Sequence, residues 1–103
     1  MVRVFISQPM AGKTQAEIED ERDSAFADVA CMLAERGEDC EEVPSYLPKL
    51  AAQMPPLYCL GASVQLMSTA DVAVFCHGWE DARGCRIEHE CATAYGLEVV
   101  ELV

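Results

Sequence analysis

Two short apolar runs, Val2 to Ile6 and Asp71 to Cys76, constrain this chain more than any other feature. The first stops at the polar turn Ser7-Gln8-Pro9 and the second at Gly78, and a helical pattern follows each. An apolar run of this length between turn signals reads as a strand buried on both faces. Such strands belong in a parallel sheet, where crossover helices cover both sides.

The intervening segments fit that scheme. Thr14 reads as a helix N-cap, and Glu17 three residues on completes a capping box. Ile18, Arg22, Ala25, Phe26, Val29, Ala30 and Leu33 keep a helical period up to Gly37, a natural stop. The acids Glu17, Glu19, Asp20 and Glu21 read as the solvated face of its first turns, which the helix dipole favours. Asp39 to Val43 is a weaker strand, Leu57 to Met67 a helix, Gly84 to Tyr95 a helix closed by Gly96, and Leu97 to Leu102 a last strand. Between Pro44 and Leu57 four prolines predict a loop or a broken short helix. Its length suits a lid or a substrate-side wall. The order β-α-β-α-β-α-β predicts an α/β protein: a small Rossmann-like or flavodoxin-like three-layer sandwich with a four-stranded parallel sheet and helices on both faces. Residues 1–103 form one domain in this reading. Ligands of such sheets lie outside the carboxyl ends of the strands, so the loops Ser7 to Lys13 and His77 to Gly84 are the candidate site.

Charge narrows the partners. A formal net charge of −11 argues against a nucleic-acid polymer, which it would repel, but allows a small anion at a local positive site. No apolar run reaches the roughly 18 residues that span a bilayer. The Met1 to Ile6 start has no signal-peptide character, so a soluble cytoplasmic protein without a membrane partner is expected. The six cysteines include no C-x-x-C pair and sit inside helix-like and strand-like runs, which predicts reduced, mostly buried thiols. The spacing of Cys76, His77, Cys85, His89 and Cys91 matches no common zinc pattern, so no metal or cofactor is expected.

Gly12-Lys13-Thr14 matches the end of a phosphate-binding loop, but Ser7 stands where that signature needs a glycine. The turn could still hold a phosphate through its backbone N–H groups and Lys13, or be an ordinary β-α turn. Gly78 to Glu90 is the richest stretch. Trp79 offers a flat wall for a base or sugar, or else a plug over the sheet edge. Gly84 permits close backbone approach, and the helix it opens points positive N–H groups at the loop. Arg83 and Arg86 add charge there unless neighbouring acids pair with them. Glu88, one turn into this helix, should be held ionised by the dipole, as a carboxylate nucleophile must be. Glu90 is the rival. With Ile87, Cys91 and Ala94 marking the buried face, the two glutamates flank it on opposite sides, and facing does not choose between them. Depth favours Glu88, the nearer to the helix start.

Val4-Phe5-Ile6-Ser7-Gln8-Pro9-Met10 resembles the first strand and loop of nucleoside 2-deoxyribosyltransferases. Ala70 to Phe75, then Gly84-Cys85-Arg86-Ile87-Glu88, then Ala92 and Gly96, resembles their later block. The similarity is greatest to small phage and bacterial members with a Gly-Trp…Arg-Gly-Cys…Glu block. Through its spacing from Gly84, the resemblance implies that Glu88 is the catalytic glutamate. It would attack the anomeric carbon of a deoxyribosyl unit, displace the base, and pass the sugar to another base or to water. Asp81 would be the acid that assists base departure. Ser7, Gln8, Pro9, Met10, Gly12, Lys13, Gly78, Trp79, Arg83, Gly84 and Cys85 would hold the nucleoside or nucleotide, Lys13, Arg83 and Gly84 suiting a 5′-phosphate. The resemblance also implies a homodimer or higher homo-oligomer. Glu90 stands where that family often has glycine. A non-catalytic nucleotide-binding module on the same fold is the competing expectation, and a metal- or redox-linked cysteine protein the third.

Overall fold

The computed structural model describes all 103 residues. Strand β1 (Val2–Ser7) leads through a turn to α1 (Gln15–Glu35), then to β2 (Cys40–Glu42). Two helices follow, α2 (Pro48–Gln53) and α3 (Pro56–Met67), then β3 (Val72–Phe75), α4 (Arg83–Ala94) and β4 (Glu98–Glu101). All strand pairs are parallel and the sheet order is β2-β1-β3-β4. That is the flavodoxin-like arrangement, in which the chain reverses direction between β1 and β3.

The two central strands are the two apolar runs, and β3 is buried along its whole length. Side chains alternate between the faces. Val4, Ile6, Val72 and Val74 pack on one side against Ala25, Val29 and Leu33 of α1. Phe5, Ala73 and Phe75 pack on the other against Met67 of α3 and Ala92 of α4. Helix α1 leads toward one edge of the sheet and α4 toward the other. Crossovers of a single hand then require them on opposite faces, which is where they lie.

Local signals set the ends. Thr14 accepts from the Glu17 N–H at 3.2 Å and the Glu17 carboxylate accepts from the Thr14 N–H at 2.9 Å, closing the capping box. At the far end of α1 the Gly37 N–H reaches the Ala34 carbonyl and the Glu38 N–H reaches Leu33. This is a Schellman cap, with Gly37 at φ 76°, where a side chain would be strained. The Pro44 to Leu57 segment resolves into an irregular stretch, the six-residue α2, and a break at Met54-Pro55 that starts α3 at Pro56. The sequence pattern did not predict the short 3-10 turn over Trp79–Asp81. All six cysteines are free, but only Cys76 and Cys85 are buried, and Cys31 is exposed. The expectation of mostly buried thiols is corrected: Cys31 falls on the outer side of α1, Cys40 and Cys91 lie at the margins of the packed layers, and Cys59 is half-buried on α3. No helix is long and apolar enough to cross a membrane.

Leu33 is fully buried, whereas Tyr95 is 88% exposed. Leu33→Ala is expected to lower the unfolding free energy by about 3 kcal/mol through lost transfer energy and a residual cavity. Tyr95→Ala should stay within about 0.5 kcal/mol of the parent. Urea unfolding of the two variants checks both values.

Candidate active site

The carboxyl ends of β1 and β3 are neighbours, with Ser7 opposite Phe75 in register. A cavity of about 270 Å³ lies beyond the β1 end, enclosed by segments from four parts of the chain. Gln8, Pro9 and Met10 enter from the turn after β1, and Ser45, Tyr46 and Leu47 from the stretch after β2. Leu50 of α2 and Leu60 and Ser63 of α3 form the outer wall. Ala82, Gly84, Cys85 and Glu88 close it from the start of α4. The proline-rich segment is therefore a wall of the pocket.

Glu88 is the one carboxylate that lines this cavity, and it is only 7% exposed. The Ser7 hydroxyl donates to its Oε1 at 2.9 Å. Its Oε2 is buried without a hydrogen-bond partner. A buried acceptor left unpaired is costly, and in a pocket wall it is a place for a ligand or water to donate. Burial pushes the Glu88 carboxyl above the ordinary range. The Ser7 hydroxyl, the Ser63 hydroxyl near it, and the charge of Arg22 pull in the opposite direction. Desolvation is the largest of these influences, and it runs opposite to the ionising effect expected of the helix dipole. Glu90, by contrast, is exposed to solvent.

The start of α4 adds a second element. Its N-cap is Ala82, which has no side-chain oxygen, and its first turn contains no acid. The unpaired N–H groups of that turn belong to the pocket's Gly84-Cys85 wall. A Cβ added at Gly84 would meet no atom within 4 Å, so the glycine leaves open space there.

Of the residues expected at the site, Gln8, Pro9, Met10, Gly84, Cys85 and Glu88 line the cavity, and Ser7 joins through its hydrogen bond. The others lie outside it. Trp79 stacks on His89, with ring centroids 4.0 Å apart and planes 7° apart, and packs against Phe75 over the sheet face. Asp81 is exposed at the end of the 3-10 turn. Gly12 forms an exposed turn at φ 77°, and Gly78 adopts φ 84°. Lys13 pairs with Glu21 at 3.1 Å. Arg83 is exposed, and Arg86, also exposed, donates to the Glu80 carbonyl. No basic side chain lines the pocket.

Arg22 also belongs beside this pocket, although no motif in the sequence singles it out. It sits on the inner face of α1, only 5% exposed, with its guanidinium among groups that border the pocket. The available signal was its position in the apolar series Ile18, Arg22, Ala25, Val29, Leu33, where a cation is out of place without a buried partner. A more open cleft of about 620 Å³ lies at the amino end of the sheet. Two of its carboxylates are already engaged: Asp71 accepts the Arg3 N–H, and Glu98 pairs with Arg36.

Fold and site together define a small parallel α/β protein with a half-enclosed, carboxylate-bearing pocket at its topological switch point. The chain belongs to the family described as Domain of unknown function (DUF4406), whose sequence model matches residues 2–101. No curated protein and no solved structure matches it.

Burial makes Glu88 hold its proton more tightly folded than unfolded. Its contribution to stability is therefore complete below the ordinary carboxylate value of 4.5 and lost as pH rises through the folded value. Glu88→Gln removes that loss and keeps an acceptor for Ser7. The variant should gain stability relative to the parent between about pH 4 and pH 7, read by urea unfolding at both values. An unchanged difference would count against a buried, proton-retaining Glu88.

Proposed function

We propose that the pocket binds a 2-deoxynucleoside or its 5′-monophosphate and that Glu88 cleaves the N-glycosidic bond through a covalent glycosyl-glutamate. The observation that carries this reading is the unpartnered Oε2 of a buried glutamate in the wall of a ligand-sized pocket. A carboxylate oxygen forms a bond to the anomeric carbon as the bond to the base nitrogen breaks, and the electron pair leaves with the base. A second base or water then attacks the same carbon, gives its proton to the group that protonated the first base, and releases the carboxylate. Ser7 holds the other oxygen of Glu88 and fixes the attack geometry. Low solvation makes the ionised carboxylate a stronger nucleophile than one in water.

The wall offers apolar surface from Pro9, Tyr46, Leu50 and Leu60 for the base and sugar ring. The absence of a basic side chain from the lining favours the nucleoside over its monophosphate. A phosphate would rely on the N–H groups that open α4. In this reading Asp81, exposed on the turn that leads into Ala82 of the pocket wall, protonates the departing base. The reaction needs no metal or other cofactor, and the protein acts in the cytoplasm as a homodimer or higher homo-oligomer.

One observation favours a second reading, a non-catalytic nucleotide-binding module. Asp81 does not line the pocket, and Glu88 is the only carboxylate that does. Deoxynucleoside binding with no turnover for any base or acceptor would support the module and overturn the enzyme. A cysteine-based function has less support. Burial pushes the Cys76 thiol up to about 11 and raises Cys85 as well, so both stay protonated and unreactive.

Glu88→Ala should reduce base release from deoxynucleosides on the order of 10⁴-fold or more, as loss of a covalent nucleophile does, with an unchanged circular dichroism spectrum. Full activity in that variant would rule Glu88 out as the nucleophile.

A further inference from the structure

Every hydrogen-bonding nitrogen of the Arg22 guanidinium is occupied. Nε donates to Glu42 Oε2 at 3.0 Å, and Nη1 to Gln8 Oε1 at 2.8 Å. Nη1 and Nη2 both reach the Ile6 carbonyl, at 3.3 and 3.4 Å, and Nη2 also donates to the Ser45 hydroxyl. The Ser45 hydroxyl in turn donates to the Ile6 carbonyl at 3.3 Å. Gln8 is fixed from its other side, where its amide nitrogen donates to the Ile18 carbonyl and to Glu21. The Tyr46 ring lies 6.0 Å from the guanidinium carbon.

We infer that Arg22 is a positioning residue for the Glu88 pocket, its guanidinium tying Gln8 and Ser45, on two walls of the cavity, to the carbonyl of the residue before Ser7. The connection runs from Arg22 to the Ile6 carbonyl, along the backbone to Ser7, and from the Ser7 hydroxyl to Glu88. A lysine cannot replace this fork, since it presents one compact ammonium where arginine presents a planar set of donors. Stability alone is a poor reason to bury such a group, because desolvation offsets much of the gain from its ion pair with Glu42. The arrangement has an electrostatic consequence as well. The titratable and charged groups near Glu88 are few: Arg22 from α1, Cys85 from its own helix, and, across the pocket, Cys59 from α3 and Tyr46 from the stretch after β2. Arg22 is the only cation among them, and it favours the ionised carboxylate. Glu42, at the end of β2, competes for the same charge.

The inference rests on Glu88 being the working group of the pocket, but its test does not need the reaction. Carboxyl-carbon NMR of the full chain reads the Glu88 titration midpoint directly, and thymidine serves as the binding probe. Arg22→Met should move the midpoint to higher pH. Arg22→Lys should restore the midpoint toward the parent value yet bind thymidine about tenfold more weakly, because Gln8 and Ser45 lose their common anchor. Glu42→Gln, which frees the guanidinium from its competitor, should move the midpoint to lower pH, and it supplies the answer if Arg22→Met does not fold. A purely structural Arg22 would lower melting temperatures while leaving every midpoint in place, and that result overturns the inference. If the midpoints move as expected while the parent neither binds thymidine nor releases its base, the proposed function fails and the role of Arg22 stands.

Discussion

β1 and β3 run side by side, with Val4 opposite Val72 and Ser7 opposite Phe75, and the site depends on that pairing. Because β2 and β4 lie on opposite outer flanks, the chains leaving β1 and β3 diverge at the carboxyl end. The gap between diverging crossovers is where a parallel sheet offers space to a ligand. Here the gap is narrowed by the start of α4 on one side and the proline-rich segment on the other. Ser7, the last residue of β1, crosses it to hold Glu88.

Two buried polar groups of opposite charge lie near that gap, each on the inner face of a helix. Glu88 on α4 is incompletely satisfied, with one oxygen paired and the other not. Arg22 on α1 is fully satisfied by Glu42, Gln8, Ser45 and the Ile6 carbonyl. A small domain with few buried polar side chains seldom leaves one unpaired without a use for it. The contrast separates a residue available to a ligand from one that holds other residues in place. It also accounts for the scarcity of cations in the pocket, since the buried guanidinium is committed and Lys13 is paired with Glu21.

The layers, the strand and helix segments and the general region of the candidate pocket could be read from the sequence, because each depends on local rules. Short apolar runs, period-3.6 patterns, the Thr14-Glu17 capping box and the glycines at positions 37 and 96 act over a few residues. The particular members of the site were less legible. Trp79 and Asp81 lie in the right loop, but the 3-10 turn carries Trp79 onto His89 and leaves Asp81 in solvent. Lys13 and Arg83 lie near the right turns, but charge along a sequence does not reveal which side chains will pair or face outward. Neither pairing nor facing follows from spacing once a short turn has rotated the chain.

Local pattern in the chain was enough to specify a parallel α/β sandwich, a candidate pocket edge after the first and third strands, and a glutamate one turn inside the helix that follows the third. Those properties come from hydrophobic periodicity and helix-end chemistry, which are local. The packing of the fold is what buries Glu88 against Ser7 while Glu90 faces solvent, and what raises this carboxyl through desolvation. It alone brought Arg22, Gln8 and Ser45 together from three separate segments. Burial and long-range hydrogen bonding depend on which segments the fold packs together, and a one-dimensional pattern does not contain that information.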